Sequence, residues 1–180
     1  MKKIILSLML IAVGMTMANA QKLYSTKTGQ LKFNATGGVE PIAATNNQVD
    51  SKMLDKTGQI VFSVLIKGFK FDNQLMEDHF NENYLESTKF PKADFKGFIT
   101  NVNSIDFTKD AKHNVTVDGS LTIHGVSQKV STPGSLTIAN GKVSITGSFK
   151  IKITEYGITG LYIGDKIASE AEITLNCKYD

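Results

Sequence analysis

The sequence predicts an all-β fold, an antiparallel sheet of eight or nine strands curled into a barrel, interrupted by one short amphipathic helix. Three observations predict it. Apolar and polar residues alternate with period two through most of the chain. Turn dipeptides, among them His124-Gly125 and Asn140-Gly141, punctuate the alternation at a spacing of about 8–12 residues, as in antiparallel sandwiches and barrels. Glycines also stand inside long alternating runs, at Gly119 and Gly147, where a sheet that closes on itself must bend.

Residues 1–20 read as a targeting segment and not as part of the fold. "MKK" is a basic start, "IILSLMLIAVGM" is an apolar core short for a bilayer span, and "ANA" before Gln21 fits the small-x-small cleavage rule. Cleavage after Ala20 leaves 21–180 as one mature domain, exported to the periplasm or secreted. No cysteine follows the apolar core, so a lipid anchor has no attachment point there. Removing Lys2 and Lys3 takes the net charge from +3 to +1. The chain has no arginine and no tryptophan. A near-neutral surface without arginine lacks the basic footprint of a nucleic-acid binder. No second apolar run approaches a membrane-spanning length. The sequence leaves monomer and homodimer open.

Strand starts fall near Lys22, Gln30, Gln48, Gln59, Ala93, His113, Gln128, Lys142 and Ser169. Thr28-Gly29-Gln30, Thr57-Gly58-Gln59 and Pro133-Gly134 read as turn signals between them. In "QIVFSVLIKGFKF", Ile60, Phe62, Val64 and Ile66 share one face, and Val61 and Leu65 suggest partial cover on the other. Val115, Val117, Gly119, Leu121 and Ile123 form the inward row of another strand, with Gly119 marking a bulge or a strong bend. Asn140-Gly141 between "SLTIA" and "KVSIT" is the strongest hairpin signal. It leads into a long strand with Val143, Ile145, Gly147, Phe149, Ile151 and Ile153 inward. The last strand carries Ala171, Ile173, Leu175, Cys177 and Tyr179 on one face, which makes the single cysteine a buried core thiol.

The helix lies in "FDNQLMEDHFNENYLESTKFPKADFKG". Met76, Phe80 and Tyr84 recur at i, i+4, i+8, bordered by Leu75 and His79, while Glu77, Asp78, Asn81 and Glu82 fall opposite. This predicts about three helical turns, capped by Asp72 or Asn73 and ended before Pro91. A catalytic use of Asp78, His79 and Glu82 lacks a nucleophile, and His79 with Glu82 reads as a surface pair. His79, His113 and His124 show no metal-ligand spacing, and His124 belongs at a turn, bonded to backbone or water. An apolar helix stripe inside a curved sheet needs cover, and a barrel mouth supplies it. Met76, Phe80 and Tyr84 would then lid an interior whose mid-sized inward residues leave room for one small ligand.

"LMEDHFNENYLESTKFPKADFKG" together with "GSLTIHGVSQKV" resembles the YceI-like family, and the likeness runs from about Tyr24 to "ASEAEITLNC". The resemblance implies an extended antiparallel eight-stranded lipocalin-like barrel holding a long apolar chain, a polyisoprenoid or an isoprenoid quinone. It implies Met76, Phe80 and Tyr84 as cavity wall near one end, with Phe62, Val64, Leu121 and Ile123 further in. Phe149, on an inward row, joins these as a ligand-binding candidate. Many members carry an aspartate and a histidine where this chain reads "YSTKTGQLKFNAT". The missing arginines also remove the best clamp for a pyrophosphate head, so an uncharged chain fits at least as well. No cofactor, metal or catalytic residue is implied. Two other readings stand beside the lipid carrier: a structural or adhesive β-domain with a filled core, and an enzyme using His79 or Glu82 in the same cavity.

Overall fold

A computed structural model describes residues 21–180, so the targeting segment proposed for 1–20 lies outside the described residues. Eight antiparallel strands follow one another around a closed barrel. They are β1 (Leu23–Thr36), β2 (Ala43–Leu54), β3 (Gln59–Leu65), β4 (Lys92–Ile99), β5 (Ala111–Ile123), β6 (Val126–Ala139), β7 (Lys142–Lys152) and β8 (Ile167–Lys178). β8 pairs back onto β1, with Leu31 opposite Leu175 and Phe33 opposite Ile173. Two tight hairpins have paired positive-φ residues, His124 and Gly125 at 51° and 76°, and Asn140 and Gly141 at 52° and 73°. Both match the right-handed twist of the strands they join.

Two turn expectations are corrected, and of the bulge or strong bend expected at Gly119 the bulge is absent. Thr28-Gly29-Gln30 is not a turn; the two strands expected from Lys22 and Gln30 are one, and Gly29 sits at a bulge where the β1–β2 register shifts twice. A side chain there is disfavoured, because a Cβ on Gly29 would lie 2.5 Å from the Cys177 sulfur and force it to shift. Pro133-Gly134 lies within β6, which starts at Val126. Gly119 marks no bulge. It stands opposite Gly97 and Val130 in unbroken register, and its hydrogen makes room for the Phe95 ring, which a Cβ would meet at 2.4 Å.

The two ends of the barrel differ. At one end Tyr24, Met53, Ile99, Val102 and Tyr179 are buried together, and the Tyr24 ring lies 5.7 Å from Phe107 and 6.4 Å from Tyr179. Ser51 gives its hydroxyl hydrogen to the Val61 carbonyl at 3.0 Å, so the Tyr179 hydroxyl donates to Ser51 Oγ at 2.9 Å. That end is a packed plug. Beside it Cys177 is fully buried, as its alternation predicts, and burial pushes its thiol up to about 12.

At the other end the β3–β4 connection carries the expected helix in altered form. The helix α1 is only Gln74–His79, capped by Asn73, whose side chain accepts from the Leu75 and Met76 amides at 2.9 and 3.4 Å. A wider π-type turn, Phe80–Tyr84, follows and closes with the Leu85 amide on the Phe80 carbonyl at 2.9 Å. Glu77 is buried, against the expectation of an outer face: it takes Lys70 Nζ at 2.6 Å and tethers α1 to the chain before it. His79 and Glu82 form no pair; the helix surface instead has Gln74 donating to Asp78 at 2.9 Å. On β3, Leu65 is exposed, so its outer face has no cover there.

Where β2 runs on beyond the pairing with β3, Asn46 fills the gap. It is fully buried and its amide donates to the Leu65 carbonyl at 2.9 Å. Thr45 and Lys70 exchange backbone hydrogen bonds beside it at 3.0 and 2.9 Å. The lidding segment is thereby stitched to the barrel edge.

Candidate functional site

The interior above the plug is hollow. Its main cavity has a volume of about 710 Å³ and reaches the surface at the mouth under α1. The inward rows of the strands make its wall: Leu31 and Phe33 from β1, Leu121 and Ile123 from β5, Phe149 and Ile151 from β7, Ala171 and Ile173 from β8. Met76, Phe80 and Tyr84 close one side of the mouth, and Leu75 and His79 border them, as the helical stripe predicts. A volume of this size falls within the ~300–1,000 Å³ usual for small-molecule sites.

The lid is held by aromatic rings. Phe80 stacks on Phe33 of β1 at 5.3 Å with the planes 17° apart, and meets Phe69 at 5.6 Å and Phe71 at 5.1 Å. Phe33 in turn touches Phe69 and Phe71 at 5.5 and 5.6 Å. Tyr84 packs over Gly160, where a Cβ would come within 2.6 Å of its ring. Burial, and secondarily the neighbouring Tyr162, raise the Tyr84 phenol above its ordinary range.

Polar groups cluster at the mouth. Asn73, His79, Tyr84, Tyr162, Glu40 and Lys166 supply them, from α1 and from the β1–β2 and β7–β8 connections. Lys166 is the only lysine and Glu40 the only carboxylate among the described wall residues. His124 faces elsewhere. It bonds Glu86 at 2.7 Å, not backbone or water as its turn position suggests, and its ring meets Phe90 edge-on at 4.4 Å. The pair pins the β5–β6 hairpin to the segment after the lid.

The sequence-derived site residues divide between two spaces. Met76, Phe80, Tyr84, Leu121, Ile123 and Phe149 all line the main cavity. Phe62 and Val64 do not; they line a smaller chamber of about 90 Å³ nearer the plug, with Phe95 6.0 Å from Phe62. Leu31, Leu121, Phe149 and Ile173 border both spaces, so the chamber continues the cavity inward. The resemblance implies Ile123 further in, but it is the last pair before the His124 turn and stands at the mouth end.

A family model of the YceI-like domain matches residues 17–179. The chain belongs to the YceI-like family. Comparison with curated proteins gives no match. Among solved structures, the chain is similar to a polyisoprenoid binding domain from Saccharophagus degradans implicated in plant cell wall breakdown. The TM-score is 0.77 at 11% identity, covering 89% of this chain and 99% of that one. BcnA of Burkholderia cenocepacia superposes with a TM-score of 0.69 at 17% identity over 84% of this chain and 96% of its own. The YCEI protein of Campylobacter jejuni gives 0.55 at 16% identity, covering 100% and 99%. At these identities the likeness shows the shared fold.

Several walls of this YceI-like cavity went unnoticed in the sequence. Leu31 and Phe33 were within reach, since strand alternation from Gln30 places both inward. Phe69 and Phe71 fall in the same row as Val61 and Leu65, the outer face by alternation; Ile158, Tyr162 and Ile163 lie in a connection that shows neither period two nor period 3.6; and Ile167 opens β8 ahead of the strand start expected near Ser169. Among the described residues no helix is long and apolar enough to cross a membrane, and no group of three or more metal-ligating side chains forms.

Proposed function

We propose that the protein is an exported carrier that holds an apolar isoprenoid-type lipid, a polyprenyl chain or a quinone, inside its barrel for transport or storage. The observation that carries the reading is the cavity of about 710 Å³, walled by aliphatic and aromatic side chains and polar only at its lidded mouth. Such a space favours a ligand by burial. Each methylene taken from water contributes roughly 0.8 kcal/mol, so a long chain needs few polar contacts. Family membership supports the same reading, as does the similar fold described as a polyisoprenoid binding domain.

The mouth favours an uncharged head. Phenol, amide and imidazole groups can donate to or accept from a carbonyl or hydroxyl, whereas a single lysine beside the same lining's one carboxylate is a poor clamp for a pyrophosphate. Phe62 and Val64 would meet only the inner end of a bound chain, and the other six proposed contact residues its main length. The hollow interior speaks against the filled-core structural domain, and the targeting segment supports a place in the periplasm or outside the cell.

The test is mass spectrometry of an organic extract of the protein purified from its own host. The carrier reading expects a stoichiometric isoprenoid or quinone. A clean extract, together with failure to take up added prenol or quinone, would refute it.

A further inference from the structure

The barrel wall has a seam. β6 pairs with β5 along its whole length, from Val126 opposite Ile123 to Ile138 opposite Ala111. Its pairing with β7 covers only Gly134–Ala139, opposite Gly147 back to Lys142. Beyond that point Val126–Pro133 has a partner on the β5 side alone, and Ser148–Lys152 on the β8 side alone. The seam is bounded below by the Gly134–Gly147 pair and above by Gln128, whose amide donates to the Glu155 carbonyl at 2.8 Å.

Pro133 explains why the ladder stops. The carbonyl of Thr116, its partner on β5, accepts from Thr100 at 2.9 Å, and the Thr116 amide reaches Asn101 Oδ1 at 3.4 Å. Thr116 therefore spends both backbone groups on its other side, and Pro133 turns its own backbone polar groups toward β7. Its nitrogen has no hydrogen to give there. With the exposed Lys129 on the same edge, it also discourages addition of a foreign strand.

The small chamber runs into this seam. Its wall includes Val130, Thr132, Pro133 and Gly134 of β6 and Thr146, Gly147 and Phe149 of β7. Pro133 and Thr146 are exposed and belong to the outward rows of their strands. The chamber therefore lies directly against the inner side of the seam, with residues of both rows of the two parting strands around it. At its inner side it joins the main cavity across Leu31, Leu121, Phe149 and Ile173.

A methylene is close to a water molecule in size, so at ~30 Å³ per carbon, water's share of the liquid, spaces of about 710 and 90 Å³ hold roughly 25 carbons, about five isoprene units. A longer chain with its head at the polar mouth must leave the barrel. We propose that the β6–β7 seam is a lateral portal through which the far end of a long isoprenoid chain emerges, so that the protein accepts chains longer than its interior. This rests on the lipid-carrier reading and adds the class of chain and its path.

The experiment uses two prenols, of four and of eight isoprene units, each with a diazirine at the end opposite the hydroxyl. The full chain is loaded, irradiated and mapped by peptide mass spectrometry. The portal expects the eight-unit label on the outward-facing Ser131, Pro133, Ser148 or Lys150, and the four-unit label on interior residues such as Phe62 or Phe95. An eight-unit label on the mouth loops or wholly inside refutes the portal, as does binding of the four-unit prenol alone; both leave the carrier reading intact. Binding of neither prenol refutes the portal, and refusal of an added quinone as well sinks the carrier reading with it. Gly147→Ala gives a second readout, because a Cβ there meets only the Pro133 carbonyl, at 3.6 Å, and narrows the seam without a clash. It should raise the ratio of the eight-unit to the four-unit Kd tenfold or more. An unchanged ratio refutes the portal.

Discussion

Phe80 is the residue through which the lid is fastened, and Phe80→Ala measures how firmly. The ring pairs with Phe33, Phe69 and Phe71 at 5.3, 5.6 and 5.1 Å. Each aromatic pair is worth about 0.5–1.5 kcal/mol beyond its area burial. The ring is half-buried, which places the sum of three pairs in the lower part of its range, at about 2–3 kcal/mol. At 1.4 kcal/mol per tenfold, local opening of the lid should become roughly 30- to 150-fold more frequent. Native-state amide exchange reads this directly. The Glu77 and Leu85 amides, bonded to the Asn73 and Phe80 carbonyls, should lose protection by that factor, while amides in the β5–β6 ladder keep theirs. Release of a bound apolar probe should quicken in parallel. If Glu77 and Leu85 exchange as in the parent, the cluster does not hold the lid. If the β5–β6 amides lose protection equally, Phe80 belongs to the global core and the lid is not a separate unit.

Other perturbations follow from the same packing. Gly29→Ala places a methyl 2.5 Å from the Cys177 sulfur and should cost about 1–3 kcal/mol in urea unfolding. Adding Cys177→Ala should recover much of that, and strict additivity of the two changes would refute the contact. Burial raises the Cys177 thiol from 9.0 to about 12 and holds the Tyr179 phenol well above its ordinary value. Both groups ionise first in the unfolded chain, so their contribution is intact below pH 9 and is lost as pH rises toward 12. Urea midpoints should fall over that window, less so in Cys177→Ala; an equal fall in that variant would count against the burial argument. Val39 and Leu161 are 102% and 95% exposed at the tips of the loops around the mouth. Val39→Asp with Leu161→Asp should leave stability within about 0.5 kcal/mol yet slow prenol uptake from vesicles several-fold, and unchanged uptake would show that the tips take no part in loading.

Much of the molecule was legible in its residues because the physics behind it is local. Strand alternation placed Val115, Leu121, Ile145, Phe149 and Cys177 on the inside, and the structure has them there. The stripe of Met76, Phe80 and Tyr84 reached the cavity even though α1 passes into a π-type turn, since widening one turn shifts the stripe by less than its width. Glycines misled wherever they serve a distant neighbour. Gly29 yields to Cys177 and Gly119 to Phe95, and neither partner is near in sequence.

By itself, then, the sequence determined the antiparallel strands, their inward rows, the two tight hairpins and the apolar face of the lid, because side-chain period and turn φ are set by residues a few positions apart. Only the tertiary structure decided which end is plugged and which is hollow, that Glu77 is buried on Lys70, that Phe69, Phe71 and the β7–β8 connection complete the wall, and that β6 and β7 part at Pro133. Those features depend on which strand lies beside which and on the space left between them, and no local pattern carries that information.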